Sequence, residues 1–290
     1  MEFRTLEMTA KPDWLRIPYQ NNHNNAFVTE LIKELGLNTV CVEANCPNCS
    51  ECFSKKTATF LILGKNCTRN CSFCNITNDT PLPVDEDEPD RIAEAAVKLD
   101  LHYVVITSVT RDDLKDGGAG HFANVTRAIR RAAPETTIEL LIPDLVDLKV
   151  VTNESPAVIS HNIETVESLY TAVRPEANYD RSLDVLRNIK HLDPGIYTKS
   201  GIMLGLGETR EEVLKTFDDL LDAGCDYLTI GQYLPPTKKH YRVREYIEPE
   251  VFGEYAKTAE KKGFRHVFSG PFVRSSYNAE KALSSHTYLK

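Results

Sequence analysis

The stretch TATFLILGKNCTRNCSFC, Thr57 to Cys74, decides the reading of this chain. Its first half, residues 57–64, is a nearly unbroken apolar run, as expected of a strand covered on both faces. Its second half sets Cys67, Cys71 and Cys74 as C-x3-C-x2-C, directly behind that strand. A barrel of alternating strands and helices carries its chemistry there, on the loops that follow the C-terminal ends of its strands.

Working upstream, Cys41, Cys46 and Cys52 form a second triplet, C-x4-C-x5-C, so six of the eight cysteines fall in two groups. Thiolates hold cubes of iron and sulfide. Three of them occupy three corners and leave one iron open to a small molecule. Two triplets therefore point to two 4Fe-4S clusters and to redox chemistry in a reducing compartment. Structural zinc is the other use of such residues. It prefers four protein ligands in paired C-x2-C steps, and the one such pair, Cys71 and Cys74, lacks a clean mate.

The bulk properties agree with a metalloenzyme. A length of 290 residues suits one α/β barrel, and 41% hydrophobic with 26% charged residues is a globular composition. No apolar run is long enough to span a membrane. The opening MEFRTLEMTAKPDW shows no basic region followed by an apolar core, so a cytoplasmic location is expected. Eight cysteines in that setting argue for metal or redox use over disulfides. The net charge of −8 argues against nucleic acid as a partner, and no membrane partner is expected.

Working downstream, apolar β-branched runs recur at 57–64, 102–109, 136–143, 158–163, 197–205 and 227–234, with a short seventh at 265–268. Amphipathic segments separate them. In one, Thr209 and Glu212 fit a capping box, Val213, Phe217 and Leu220 mark a helical face, and Gly224 suits the helix end. Alternating units imply parallel strands with right-handed crossovers. Six of them predict an α/β fold, a partial (β/α)6 TIM-like barrel at 57–263. An irregular N-terminal extension, 1–56, with one helix near 25–36, carries the upstream triplet, and a C-terminal segment, 264–290, follows the barrel.

C-x3-C-x2-C resembles the signature of the radical S-adenosylmethionine (SAM) superfamily. C-x4-C-x5-C resembles the auxiliary-cluster motif of the lipoyl synthase family, and Arg274-Ser-Ser-Tyr-Asn-Ala279 resembles that family's C-terminal R-S-S-Y-x-A motif. The likeness runs from Lys11 to Ala279. Intermediate matches include Arg111-Asp-Asp-Leu, Val173-Arg-Pro and Gly205-Leu-Gly-Glu208.

The resemblance implies that Cys67, Cys71 and Cys74 hold a cluster that cleaves SAM to a 5′-deoxyadenosyl radical. It implies that Cys41, Cys46, Cys52 and Ser276 hold a second cluster, which is consumed as the sulfur source. A serine oxygen is a harder donor than thiolate and releases its iron more readily. The implied reaction inserts two sulfur atoms, at C6 and C8 of an octanoyl chain on a carrier lysine. The carrier is a lipoyl carrier domain or a glycine-cleavage H-type protein. An electron donor such as ferredoxin or flavodoxin is implied as well.

For SAM itself the resemblance implies contacts from Phe73, Asn162, Glu164, Arg174, Gly205 and Glu208. Ser108, at the end of the second strand, is placed to meet the methionyl end of SAM. Asp112 or Asp113 is expected to orient the loop after that strand. Cys49 reads as a bystander, Cys225 and Met203 as core residues, and His161 as a satisfied core histidine. The basic run Lys238, Lys239, His240, Arg242 and Arg244 reads as a solvated loop or as a docking place for an acidic partner domain. A biotin-synthase-like enzyme acting on a free small molecule is the nearest alternative. It lacks both the upstream triplet and the serine motif.

Overall fold

The computed structural model describes residues 11–16, 22–145 and 147–284. Most of the opening stretch read for a secretory signal lies outside those residues. The N-terminal segment contributes α1 (His23–Glu34), β1 (Asn38–Thr39), α2 (Val40–Glu43) and α3 (Cys49–Ser54). The barrel begins with β2 (Thr59–Ile62), followed by the short strands β3 (Asn66–Cys67) and β4 (Thr77–Asn78). Helices and strands then alternate: α4 (Glu88–Lys98), β5 (Tyr103–Ser108), α5 (Ala119–Ala132), β6 (Thr137–Leu141), α6 (Leu148–Thr152) and β7 (Val158–Ser160). The second half runs α7 (Tyr170–Val173), α8 (Tyr179–Leu192), β8 (Tyr197–Leu204), α9 (Arg210–Asp222), β9 (Tyr227–Gln232), α10 (Pro249–Lys262) and β10 (His266–Gly270).

The main sheet has the order β1-β2-β5-β6-β7-β8-β9-β10. From β2 to β10 every pairing is parallel, whereas β1 lies antiparallel on β2. The two edge strands do not meet, so the barrel stays open, as the six-unit reading predicts. The sheet also takes in the short run at 265–268, as β10, which pairs with β9 from His266 to Gly270.

All four residues of β2 and all six of β9 are buried. That is why these runs are apolar throughout instead of alternating. The strands also bury a charged cluster. Lys199 of β8 reaches past β7 to place Nζ 2.5 Å from Glu139 Oε1 of β6. Tyr103 and Ser160 also donate to the Glu139 carboxylate, at 2.6 and 2.7 Å.

Helix α9 has the expected capping box, with Thr209 Oγ1 accepting from Glu212 N and Glu212 accepting from Thr209 N. The N-terminal extension is more ordered than its sequence predicts. Two short helices, α2 and α3, carry Cys41 and Cys52. Elements of one or two turns are too short to show a hydrophobic period. Asn24 and Asn25 of α1 donate to the carbonyls of Ser54 and Ser50, and so bind α1 to α3.

Candidate active site

Strand β2 leads into Leu63 and Gly64, both with positive φ (66° and 85°), which turn the chain onto the cysteine loop. Left-handed backbone is costly for leucine, and buried groups hold it there. Glu88 accepts from Leu63 N at 2.9 Å, His121 shares the same carboxylate oxygen at 2.7 Å, and Arg111 donates to Leu63 O at 3.2 Å.

The cysteine loop is closed at its base by β3 pairing with β4. Asn78 donates to Cys67 O at 3.1 Å, and Thr68 N donates to Thr110 O at 3.1 Å. Arg69, inside the triplet, clamps the loop to its neighbours. It donates twice to Asp112, at 2.9 Å each, and to Asp144 at 2.6 Å. Of the two aspartates expected to orient the loop after the second strand, Asp112 thus holds Arg69, and Asp113 takes Arg111.

The upstream triplet is brought to the same place. Asn75, one residue past Cys74, donates to Glu43 O at 2.8 Å. The C-terminal segment then packs against the upstream segment and the barrel. Gly231 of β9 makes room for it, because a Cβ there would lie 2.2 Å from Val273 O. Asn48 donates to Phe272 O at 2.7 Å, Thr59 donates to Ser276 Oγ at 2.8 Å, and Tyr277 donates to Glu51 at 3.1 Å.

Cys41, Cys46, Cys52, Cys67, Cys71, Cys74 and Ser276 all line one cavity of about 620 Å³. Phe73, Ser108, Asn162, Glu164 and Arg174 line it too. Cys49 does not, and Cys225 is buried elsewhere, against Tyr227 O. Met203, read as core, reaches the cavity wall, as does His161.

Gly205 and Glu208 are absent from the lining. The Glu208 carboxylate turns back on its own loop and accepts from the backbone of Gly205, Leu206 and Gly207 at 2.6 to 3.0 Å. A Cβ at Gly205 would lie 2.3 Å from Glu245 O. These two residues shape the loop after β8, and neither lines the cavity.

The polar wall is organised. Ser275 donates to Asn162 Oδ1 at 2.8 Å, and Asn162 donates to Glu164 Oε1 at 3.0 Å. Burial pushes the Glu164 carboxyl up, against the pull of Arg174. Arg174 donates from Nη1 to Tyr170 Oη at 2.9 Å and to Asn162 O at 3.1 Å, while its buried Nε has no partner. The buried Ser108 hydroxyl has none either. Two unsatisfied donors in one cavity wall are suited to a polar ligand, because an unpaired buried polar group is expensive.

Residues 61–220 match the Radical SAM superfamily. Across 98% of its length the chain is 52% identical to the lipoyl synthase of Alkaliphilus metalliredigens, all of which is covered. It is 57% identical over 94% of its length to the lipoyl synthase of Caldicellulosiruptor saccharolyticus, 97% of which is covered.

The chain belongs to the lipoyl synthase family.

It is therefore a radical SAM enzyme of the sulfurtransferase type. Among solved structures, methylornithine synthase superimposes with a TM-score of 0.57 at 15% identity, covering 86% of this chain and 75% of that one. The FeFe-hydrogenase maturase HydG from Carboxydothermus hydrogenoformans gives 0.56 at 14% identity, covering 79% and 66%. At such identities the match concerns the open barrel alone.

Six cysteine thiols in the lining of one cavity suit this lipoyl synthase family member to iron–sulfur chemistry, since thiolates hold such clusters. Burial pushes the Cys52 and Cys74 thiols up to about 12 and raises those of Cys41, Cys46 and Cys71. Thiolates at these depths need metal cations in place of their protons. Backbone N–H groups already point at sulfurs of the downstream triplet. Thr110 and Arg69 donate to Cys67 Sγ at 3.3 and 3.4 Å, and Ile76 donates to Cys74 Sγ at 3.5 Å. Such bonds tune cluster potential.

Sequence reasoning missed Arg69, Glu88 and Ser275. An arginine between the first two cysteines was the one available signal. Glu88 and Ser275 act through partners 25 and 113 residues away, at Leu63 and Asn162.

Proposed function

We propose that this enzyme inserts two sulfur atoms, at C6 and C8, into an octanoyl chain amide-linked to a lysine of a lipoyl carrier domain or an H-type carrier protein. One observation carries the reading: both cysteine triplets and Ser276 face a single cavity. An acyl chain entering it lies between the two cysteine sets.

In this reading Cys67, Cys71 and Cys74 hold one 4Fe-4S cluster, and Cys41, Cys46, Cys52 and Ser276 hold the other. When bound, the clusters and SAM supply a 5′-deoxyadenosyl radical and sulfide. Octanoyl C–H bonds are unactivated, so no side chain acting as a base can open them at neutral pH. The chain's own residues bind and orient. Arg174 and Ser108 offer free donors to the carboxylate and other polar groups of SAM, a guanidinium being well matched to a carboxylate. Asn162 and Glu164 supply acceptors, and Phe73, packed with Tyr233 and Leu206, offers an apolar face. Thr59 donates to Ser276 Oγ and so favours its ionised form. Residues Val273 to Tyr277 of the C-terminal segment line part of the cavity. Holding each target carbon between radical and sulfur is the protein's main catalytic contribution.

Anaerobic turnover of an octanoyl-lysyl peptide with SAM and dithionite, read by mass spectrometry, tests this. With wild-type enzyme the peptide gains two sulfurs per octanoyl chain. Replacing Cys41, Cys46 or Cys52 by alanine abolishes the gain yet leaves SAM cleavage. A variant that still makes the dithiolated product removes the assignment of the sulfur source.

A further inference from the structure

The loop after β9 exposes Lys238, Lys239, Arg242 and Arg244. None of the four forms an ion pair with any described residue, although the whole chain carries a net charge of −8. This loop is fastened to the cysteine loop. Tyr241 N donates to Ser72 O at 2.8 Å, and His240 Nε2 donates to Cys74 O at 3.0 Å. Tyr233 secures it from below by donating to Tyr241 O at 2.7 Å. The start of the loop, Leu234 to Pro236, lines the cavity, whereas none of the four cationic residues does.

We propose that this basic loop docks an acidic one-electron carrier protein, placing the carrier's redox centre against the Ser72–Cys74 backbone. The inference rests on the reading of Cys67, Cys71 and Cys74 as cluster ligands. The carrier's reduced flavin or iron–sulfur centre would give up one electron, and a cluster held by Cys67, Cys71 and Cys74 would take it up. No bond forms or breaks, and no proton has to move.

The position of the cations separates this partner from the acylated substrate domain. A substrate has to send its chain into the cavity, whereas an electron carrier needs only proximity to the cysteine loop. The cations lie outside the cavity, on the loop that is hydrogen-bonded to the cysteine loop. The acidic remainder of the chain repels an acidic carrier, so this patch sets its orientation as well as its approach rate.

The test compares wild-type holoenzyme with the variant carrying Lys238→Glu, Lys239→Glu and Arg242→Glu. The probe is an acidic ferredoxin. Its binding is read by fluorescence anisotropy at low and high salt, and 5′-deoxyadenosine formation is followed with reduced ferredoxin or with dithionite. Binding weakens by about tenfold or more in the variant and loses its salt dependence. The KM for ferredoxin rises in step, while the dithionite-driven rate is unchanged. Unaltered ferredoxin binding overturns the proposal. So does an equal loss with dithionite, which makes the loop a mere support for the cysteines. A raised KM for an octanoylated carrier domain with unaltered ferredoxin kinetics overturns it too, and assigns the patch to the substrate. Failure of the sulfur-insertion reading appears separately, as wild-type enzyme yielding no thiolated product with dithionite, and the binding arm is read regardless.

Discussion

The side-chain amide of Asn75 donates to the carbonyl oxygen of Glu43 at 2.8 Å, so a direct hydrogen bond joins the two cysteine segments. Asn75 follows Cys74, and Glu43 lies between Cys41 and Cys46. The bond therefore sets one thiol group against the other across the cavity. Asn75→Ala removes it without touching a cysteine. Iron content and SAM cleavage should stay within about twofold of wild type, while sulfur insertion falls by about tenfold or more, because small misplacements of reacting groups are costly. Iron assay, 5′-deoxyadenosine yield and product mass check this. A parallel fall of cleavage and insertion counts against a positioning role.

Cys49 and Cys52 stand three residues apart on one short helix, yet only Cys52 reaches the cavity. Cys49→Ser should leave iron content and colour unchanged after anaerobic reconstitution. On the proposed assignment of Cys52 to one of two clusters, Cys52→Ala should remove about half the iron. Equal losses from the two variants would place Cys49 among the ligands.

Lys199 and Glu139 form an ion pair with both side chains 1% exposed. Breaking one side leaves a buried charge uncompensated, at a cost of about 3–5 kcal/mol. Lys199→Met should therefore destabilise by that amount in urea denaturation. Lys199→Met combined with Glu139→Leu should cost less than the single change. A double variant less stable than Lys199→Met would show that the carboxylate is satisfied without its lysine, through Tyr103 and Ser160.

His161 is fully buried, with Nδ1 at 2.9 Å from Ile142 O and Nε2 at 3.4 Å from Asp144 Oδ1. Burial pushes its pKa down to about 4, from an ordinary value of 6.5, despite the Asp144 charge. Between those values the unfolded chain binds a proton that the folded chain does not. The stability this group contributes is whole above pH 6.5 and falls as pH drops toward 4, by about 3 kcal/mol at most. The Asp144 carboxyl is held below its ordinary 3.8, so its own loss begins beneath that window. Urea midpoints of the metal-free, reduced protein from pH 4 to 7 should slope downward toward acid. The His161→Asn variant should be flatter. Identical slopes would remove His161 as the cause.

Much of the barrel could be read from local chemistry. Apolar runs mark strands because both faces of a parallel sheet are covered, and the Thr209–Glu212 capping box marks a helix start because its bonds span three residues. The short helices α2 and α3 could not be read so, since one or two turns leave no period. The Gly205–Glu208 spacing resembles a cofactor-binding element, and the fold adds that the Glu208 carboxylate accepts from three local N–H groups.

The order of the cysteines along the chain by itself set out two close groups, because each closes within a dozen residues and needs no distant partner. Family membership was carried in the same way, by motifs whose residues are neighbours in the chain. Only the tertiary structure decided that the two triplets share one cavity, that Ser276 lies against Thr59 some 217 residues away, and that Arg69 clamps the loop through Asp112 and Asp144. Those contacts join segments that the open sheet brings together by folding, and separation along the chain holds no record of them.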